Sequence, residues 1–551
     1  MVPKKFSDNH RINTLIENIL DELCPFLEEQ ANEISQLTAI GKALGAGQDI
    51  TVLLEMILSI AMRFTKADGG TLYLVNSDTR NLEFHVIHNT TLKLRQSGNR
   101  IELPNVPLYH ENLTPNLSNV SSYVFHTGRV VNIKDVYRTK KFHFDGTKKF
   151  DTALGYRSKS MLVIPMKNHQ DDIIGILQLI NAKDIASSRI IAFSSDSQEK
   201  ASALASQASV ILTQQMLIYE MKELFEAFIE AIAVSIDAKS KHTGGHIQRV
   251  TQLSLMIAEK INQDITVFKD QMLSADQINE LRIAALMHDT GKITTPDHIV
   301  GKSSRLETVC NRIDLVKTRW ELFKTNHKLI AAQKKLALLE ADPAKDKILQ
   351  QIDSACEEHI HNLEKDLDFI IAINANKALL KPDELKRLEK ISTKSFSING
   401  KAISCLTPDE FENLSIPKGT LTLKEREVIN NHAHLTEKIL KKLPWPKNLA
   451  NIPSIAGAHH EKLDGTGYPL GLDKNDLNLQ ARILAIADIF EALCAPDRPY
   501  KNPMSLSQTK EILYQMGEKG ALDKDIIHIF FKSETHLDYA RQYLCASQID
   551  I

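Results

Sequence analysis

The sequence predicts a multidomain chain: an α+β module first, then an all-α module interrupted by a helical hairpin. Three observations predict it. Between about residues 50 and 183, short runs rich in β-branched and aromatic residues, such as TLYLV, SMLVIPM and IIGILQLIN, alternate with polar turns. From about 196 to 238 the chain runs without Gly or Pro, as one long helix would. Beyond it, apolar residues recur at helical spacing in runs such as AALMHDTGK and RILAIADIFEAL. At 551 residues the chain is also too long for a single core.

The bulk chemistry excludes some classes of function. With 67 basic against 69 acidic residues and a pI near 6.9, there is no overall electrostatic footprint for nucleic acid or an acidic membrane. A small anionic ligand fits that balance. The six cysteines (Cys24, Cys310, Cys356, Cys405, Cys494, Cys545) are scattered without CxxC spacing, which suits a reducing compartment. The start of the chain has no sustained apolar segment, and no later run is long and uncharged enough to span a bilayer. A cytoplasmic protein with no membrane insertion is therefore expected.

Taken in order, residues 1–35 hold an amphipathic N-terminal helix, with Ile12, Leu15, Ile16, Ile19, Leu20 and Leu23 on one face. Then come a helix (TVLLEMILSIAMRFTKA), three to six strands separated by polar loops, and a final long helix. In its order and in the phrases KADGGTLYLVN and SMLVIPMKNHQDDIIGILQLINAKD, the stretch 36–200 resembles the GAF family of ligand-binding regulatory domains. The resemblance implies a small molecule held between sheet and lid helices. Asn181, Lys183 and Phe193 fit the signature of the cyclic-nucleotide subgroup loosely, whereas Asp196 and Glu199 depart from its spacing. The ligand is therefore unknown, and an empty dimerisation module is an equal reading. Residues 137–150, YRTKKFHFDGTKKF, form either an anion-gripping lid or a solvated basic loop. The segment 201–235 reads as a connecting signalling helix whose apolar stripe needs cover, which a parallel coiled coil in a homodimer would supply.

Function is concentrated in the second half. His288 and Asp289 end an apolar helical run, followed by a glycine and Lys292. Such a pair is costly to desolvate unless something compensates, and a bound cation compensates both groups at once. One pair proves little, but similar anomalies recur. His242 and His246 stand one helical turn apart; His459 and His460 are adjacent in HHEKLDGTGYP; Asp488 lies mid-helix in RILAIADIFEAL with Glu491 nearby; His432 and His434 fall in EREVINNHAHLTEKIL. Each alone has an ordinary structural explanation, as a surface histidine, a polar turn or a buried cap. Together, with no cysteine among them, they read as a multinuclear site of nitrogen and oxygen ligands.

The joint pattern, HDTGK at 288–292, GHIQRV at 245–250, HHEKLDGTGYP at 459–469 and IADIFEALCAPDRPYK at 486–501, resembles the HD-GYP family of phosphohydrolases that degrade cyclic di-GMP. The domain is placed at 236–545. The resemblance implies metal ligands at His246, His288, Asp289, His432, His459, His460 and Asp488, with Asp289 bridging two ions. It implies two or three divalent ions, with Fe or Mn favoured by the thiolate-free donor set. Catalytic roles fall on Asp289 and Lys292, and substrate contacts on Lys292, Tyr468, Glu491, Arg498 and Lys501. Gly465 and Gly467 are expected to allow the tight turn that presents Tyr468 and Pro469. Three departures stand out. His242 replaces a Glu that some members use for a third metal. His432 is favoured over His434 by alignment alone, and Glu491 replaces the usual Asp.

The activity implied is hydrolysis of cyclic di-GMP to pGpG and/or GMP under control of the first module. The alternatives are a weakly catalytic cyclic di-GMP receptor, and a phosphohydrolase acting on another cyclic dinucleotide or nucleotide. Between Lys292 and His432 lie 139 residues. Their helical periodicity, broken at ADPAKD, predicts a helical-hairpin insertion at 303–420, an arm or a cap near the site. His359 and His361 within it read as surface residues, and its charge run as a solvated face or a docking surface.

Overall fold

The computed structural model describes residues 50–97, 103–184, 187–239, 245–341, 346–398, 400–496 and 503–551, with scattered positions between 9 and 31. The helix expected over 1–35 lies largely outside the described residues; 11–16 and 19–21 within it are helical. The chain forms two compact units, Met1–Leu224 and Phe225–Ile551.

In the first unit, helix α1 (Ile50–Phe64) repeats apolar residues at three and four spacing, so Leu54, Ile57, Leu58 and Ala61 bury one stripe against a sheet. The sheet comprises β1 (Ala67–Asn76), β2 (Asn81–Asn89), β3 (Leu94–Ser97), β4 (Val106–Pro107), β5 (Val131–Ile133), β6 (Met161–Lys167), β7 (Ile173–Lys183) and β8 (Ile190–Ile191). Its order is β3-β2-β1-β7-β6-β5, antiparallel throughout, with β4 on β2 and β8 on β7. Eight strands exceed the three to six expected. The additions include two-residue pairings at β4 and β8, too short to show an alternating pattern. Leu72, Leu162, Ile164, Leu177 and Leu179 face α1 and the start of the long helix α4 (Ser195–Lys239). The bounds of α4 match the Gly- and Pro-free run within a residue.

The opposite sheet face carries Tyr73, Met161, Val163 and Ile176 beneath α2 (Val120–Thr127) and α3 (Asp145–Leu154). Between them lies a cavity of about 250 Å³, lined by residues that include Tyr73, Phe84, Ser121, Phe144, Phe150 and Gln178. The basic stretch 137–150 divides in its role. Arg138, Lys140, Lys141, Lys148 and Lys149 are exposed, while His143, Phe144, Thr147 and Phe150 line the cavity. Buried Asp151 holds α3 down, accepting hydrogen bonds from Tyr137 Oη (2.7 Å), Ser158 N (2.8 Å) and Ser158 Oγ (2.9 Å). Lys183, one of the residues of the cyclic-nucleotide signature, donates to buried Asp68 at 2.5 Å, an internal pair.

The second unit is built on α5 (His246–Gln263), α6 (Ala275–Met287) and the short α7 (Asp297–Val300). After an insertion it continues with α12 (Leu423–Leu440), α13 (Ile452–Gly457), α14 (Leu479–Cys494), α15 (Leu506–Glu518), α16 (Lys524–Lys532) and α17 (Thr535–Tyr543). Val250, Ile257, Leu281, Ala284, Ile455, Ile486, Phe490 and Phe530 belong to one core. Local capping fixes the helix starts: Ser274 with Gln277 closes a capping box on α6, Thr422 with Glu425 one on α12, and Asn478 caps α14.

The insertion holds the expected hairpin, α8 (Ile313–Ala341) and α9 (Asp346–Ala375), but also α10 (Pro382–Ser392), strands β9 (Ser395–Ile398) and β10 (Lys401–Ser404), and α11 (Pro408–Leu414). It has its own core, including Leu306, Trp320, Phe323, Leu363, Ile370 and Leu388. Fully buried Arg305 ties its ends together, donating to the carbonyls of Asn376, Leu414, Ile416 and Ala378. His359 and His361 are exposed, as expected.

Candidate metal centre

Five separate pieces of chain deliver the polar residues. His246 opens α5, directly after Gly245, whose φ of 85° lies in the left-handed region. His288 ends α6, and Asp289 precedes a 3₁₀ turn at Thr290–Thr294. His432 projects from the middle of α12, His459 and His460 follow α13, and Asp488 sits on α14. His246, His288, Asp289, His432, His459 and Asp488 are all buried, while His460 is partly open.

They converge on Asp289. Its Oδ1 lies 3.4 Å from His432 Nε2 and 3.9 Å from His459 Nε2. Its Oδ2 lies 3.5 Å from His288 Nε2 and 3.7 Å from His246 Nε2. Asp488 completes the ring, 3.4 Å from His246 Nε2, 3.9 Å from His288 Nε2 and 3.8 Å from His460 Nδ1. Two triads have ligand-spaced donors, His246–His288–Asp289 and His432–His459–His460, each with donor atoms within 4.8 Å of one another. All the residues the sequence assigned as core metal ligands therefore come together.

The imidazoles are aimed by what lies behind them. His288, His432 and His459 each place Nδ1 within 2.6–2.7 Å of the carbonyl three residues earlier, of Ala285, Ile429 and Ala456 respectively. With the Nδ1 proton spent on a carbonyl, each ring presents a bare Nε2 to the centre, the tautomer that a metal ligand requires. His434 is exposed, whereas His432 is buried with Nε2 3.4 Å from Asp289 Oδ1.

The residues present fit divalent metal. Buried His288 Nε2 and Asp289 Oδ1 have no hydrogen-bond partner, an arrangement too costly to keep without a cation. Electrostatics agree. Burial holds His459 well below the usual imidazole range, and burial together with His432 and Lys292 brings His460 down to about 4, so both are neutral ligands at pH 7. Burial opposes the ionisation of Asp289, but Lys292 and the surrounding histidines hold its carboxyl well below the usual range. His246 is the exception: burial is outweighed by Asp488 and Glu491, which raise it to about 9.

Lys292 Nζ sits 2.5 Å from Asp289 Oδ2 and is partly exposed, at the edge of the cluster. The Tyr468 ring lies beside His460, tilted by 42° with centroids 4.8 Å apart. In the loop carrying it, Gly465 takes a φ of 72°, and Gly467 lies so close to the Glu461 backbone that a Cβ would collide with it. Glu491 differs from the substrate contact expected of it. It is fully buried, accepting from His246 Nδ1 at 2.5 Å and from Arg249 at 2.7–2.8 Å, because its longer arm reaches behind His246 instead of into the site. His242, Arg498 and Lys501 lie outside the described residues.

Sequence reasoning missed two supporting residues. Thr436, one turn beyond His432, donates to the His288 carbonyl (2.9 Å) and accepts from Gly291 N (2.8 Å), pinning the His-Asp turn to α12. Glu461 accepts from the backbone of Leu470 (2.6 Å), Gly471 (3.2 Å) and Leu472 (3.0 Å), holding the loop of Tyr468. The signal for Glu461 was its place directly after the histidine pair; Thr436 gave none.

Fold and site together define an α+β module followed by a helical module with a buried histidine–carboxylate cluster able to hold divalent metal. Family models agree: the GAF domain matches residues 49–212, and two HD domain models match 243–391 and 400–526. The chain thus joins a GAF domain to an HD domain, bearing out the resemblance to GAF-containing HD-GYP proteins. Among similar proteins is 3'3'-cGAMP-specific phosphodiesterase 3 of Vibrio cholerae, 46% identical over 95 residues, 17% of this chain and 20% of that protein. A probable cyclic di-GMP phosphodiesterase of the same organism is 38% identical over 138 residues, 24% of this chain and 31% of the relative. The cyclic di-GMP phosphodiesterase of Thermotoga maritima is 31% identical over 126 residues, 23% and 33% of the two chains. The matched stretches span no more than a third of those relatives' length. Among the described residues no helix is long and apolar enough to cross a membrane.

Proposed function

We propose that this chain is a metal-dependent phosphodiesterase that hydrolyses cyclic di-GMP to pGpG and/or GMP, acting in the cytoplasm under control of its GAF domain. The observation that carries the reading is the buried cluster around Asp289, with two donor triads and the orphaned His288 Nε2 and Asp289 Oδ1. His246, His288, Asp289, His432, His459, His460 and Asp488 would hold two divalent ions, Fe or Mn by donor type, with His242 placed by sequence for a third. Such ions supply Lewis acidity toward phosphoryl oxygens and a water acidic enough to attack at neutral pH.

The chain's own residues bind and orient the substrate. Lys292, at the partly exposed edge of the cluster, is placed to meet a phosphate oxygen and to neutralise charge as it builds there. Tyr468, packed against His460, offers an aromatic wall for a base. Arg498 and Lys501 are the further phosphate contacts implied by sequence. A 3'3'-cGAMP substrate is the second reading, favoured by the 46% identity to a protein named for that activity. The GAF cavity, with no Lys or Arg among its described lining residues, is proposed to take a small uncharged regulator.

A homodimer is part of this reading. On α4, Val210, Leu217, Met221 and Leu224 follow coiled-coil spacing and are 65%, 51%, 69% and 72% exposed, a seam that a second copy would cover. The test is product release by full-length protein loaded with Fe or Mn, supplied separately with cyclic di-GMP and 3'3'-cGAMP. Release of pGpG or GMP from the first is expected. Binding of both without cleavage in either metal form would overturn the enzyme in favour of a receptor.

A further inference from the structure

Helix α8 of the insertion carries a repeat that the metal centre does not explain. Leu315, Leu322, Leu329 and Leu336 stand seven residues apart and are 57%, 44%, 54% and 60% exposed. Three residues after each come Thr318, Thr325, Ala332 and Leu339, all exposed as well. These eight positions form a continuous three–four seam over four heptads, the a and d pattern of a helix that winds around another. The far side of the same helix is occupied: Val316, Trp320 and Phe323 are buried in the insertion's own core. The helix is therefore anchored on one face and carries an exposed leucine stripe, flanked by Thr318, Thr325 and Ala332, on the other.

The flanks of the seam indicate what covers it. Beside the Thr and Ala positions, Asp314 and Glu321 mark the first half, and Lys328 and Lys335 the second. This reversal of sign is self-complementary when two copies of the helix run in opposite directions, because that flank then meets its own counterpart about a two-fold axis. In a parallel pair it would instead meet the other flank. That flank is engaged within the chain: Arg319 bonds Glu410 at 2.8 and 3.0 Å, and Asn326 donates to Ser397 O at 3.2 Å. The contacts that Asp314, Glu321 and Lys335 already make, with Lys317, Lys324 and Asp353, are surface pairs that exchange at little cost.

We infer that the insertion is an association module in which α8 pairs antiparallel with α8 of a second copy of this chain. The inference is independent of the catalytic reading. The test is sedimentation velocity of the full chain over a range of concentrations, repeated in an L217E/L224E background that removes the α4 seam. All substituted positions are exposed, and circular dichroism checks that helix content is retained. L322E/L329E is expected to weaken association by about tenfold or more, a change of about 1.4 kcal/mol or more. E321K and K328E should each weaken it, and E321K/K328E in one chain should restore it. Association unchanged by L322E/L329E, a chain that is monomeric in the L217E/L224E background, or failure of the double charge swap to restore association would each overturn the proposal.

Discussion

Glu491 Oε2 lies 2.5 Å from His246 Nδ1, while the other carboxylate oxygen takes Arg249 at 2.7 Å. His246 Nδ1 is hydrogen-bonded to a carboxylate, whereas His288, His432 and His459 use backbone carbonyls. A carboxylate behind a ligating imidazole fixes its orientation and raises its basicity. Glu491→Gln keeps the shape but loses the charge, so metal affinity is expected to fall by about 10- to 100-fold. Competition with a chromogenic chelator measures this. An affinity equal to wild type would show that Glu491 only neutralises Arg249.

Thr436 links the two halves of the site through one hydroxyl, between the His288 carbonyl and Gly291 N. Gly291 lies so close to the His432 backbone that a Cβ there would collide with it, so the turn and α12 are already in contact. Thr436→Val keeps the volume and strips the buried N–H of its acceptor, a loss of about 1–3 kcal/mol. A lower thermal midpoint and weaker metal retention are expected, both restored by Thr436→Ser. A valine variant as stable as wild type would mean that this hydroxyl is not what sets the turn.

Asp289 and Lys292 touch each other but are expected to fail differently. Asp289→Ala removes the carboxylate that belongs to one donor triad and faces the other through His432 and His459, and should abolish turnover and lower metal content while leaving the association state unchanged. Lys292→Met leaves the whole donor set in place. It should retain metal while lowering kcat by about two orders of magnitude, the usual cost of losing one preorganised charge at a phosphoryl group. Elemental analysis beside kinetics separates the two, and metal loss in Lys292→Met would reassign the lysine to structure.

The buried cluster was legible because burial of charge is visible in sequence: Asp488 amid Ile, Ala and Phe, or His288 and Asp289 after Ala-Ala-Leu-Met, has few structural explanations. What was not legible depends on residues that look ordinary. Thr436 is one hydroxyl in a polar helix face, and Glu491 has the same chemistry whether it faces substrate or stands behind His246. The β9–β10 hairpin was readable in principle, since FSINGKAI alternates around an Asn-Gly pair, but the helical periodicity on its N-terminal side dominated. The strand count in the first unit failed where two-residue pairings depend on neighbours and not on local pattern.

The pH dependence of the metal-free protein follows from opposing shifts within the cluster. His432, His459 and His460 are held below their ordinary value of 6.5 by burial, with His460 at about 4. Unfolded, these rings take up protons as pH falls through 6.5; folded, they resist, so acidification toward 4 favours the unfolded state. His246 is shifted the other way, to about 9, by Asp488 and Glu491 working against burial. Its contribution is fully present below 6.5 and is lost as pH rises through 9. Asp289 and Asp488, held well below 3.8 in the fold, contribute stability present above 3.8 and lost as pH falls below it, so they add only to the low end of the acid limb. The thermal midpoint in excess chelator should therefore peak near pH 6.5 and decline on both sides. His460→Ala should flatten the acid limb without moving the alkaline one, whereas Glu491→Gln should flatten the alkaline limb. An acid limb unchanged by His460→Ala would show that this ring does not titrate inside the fold as its burial requires.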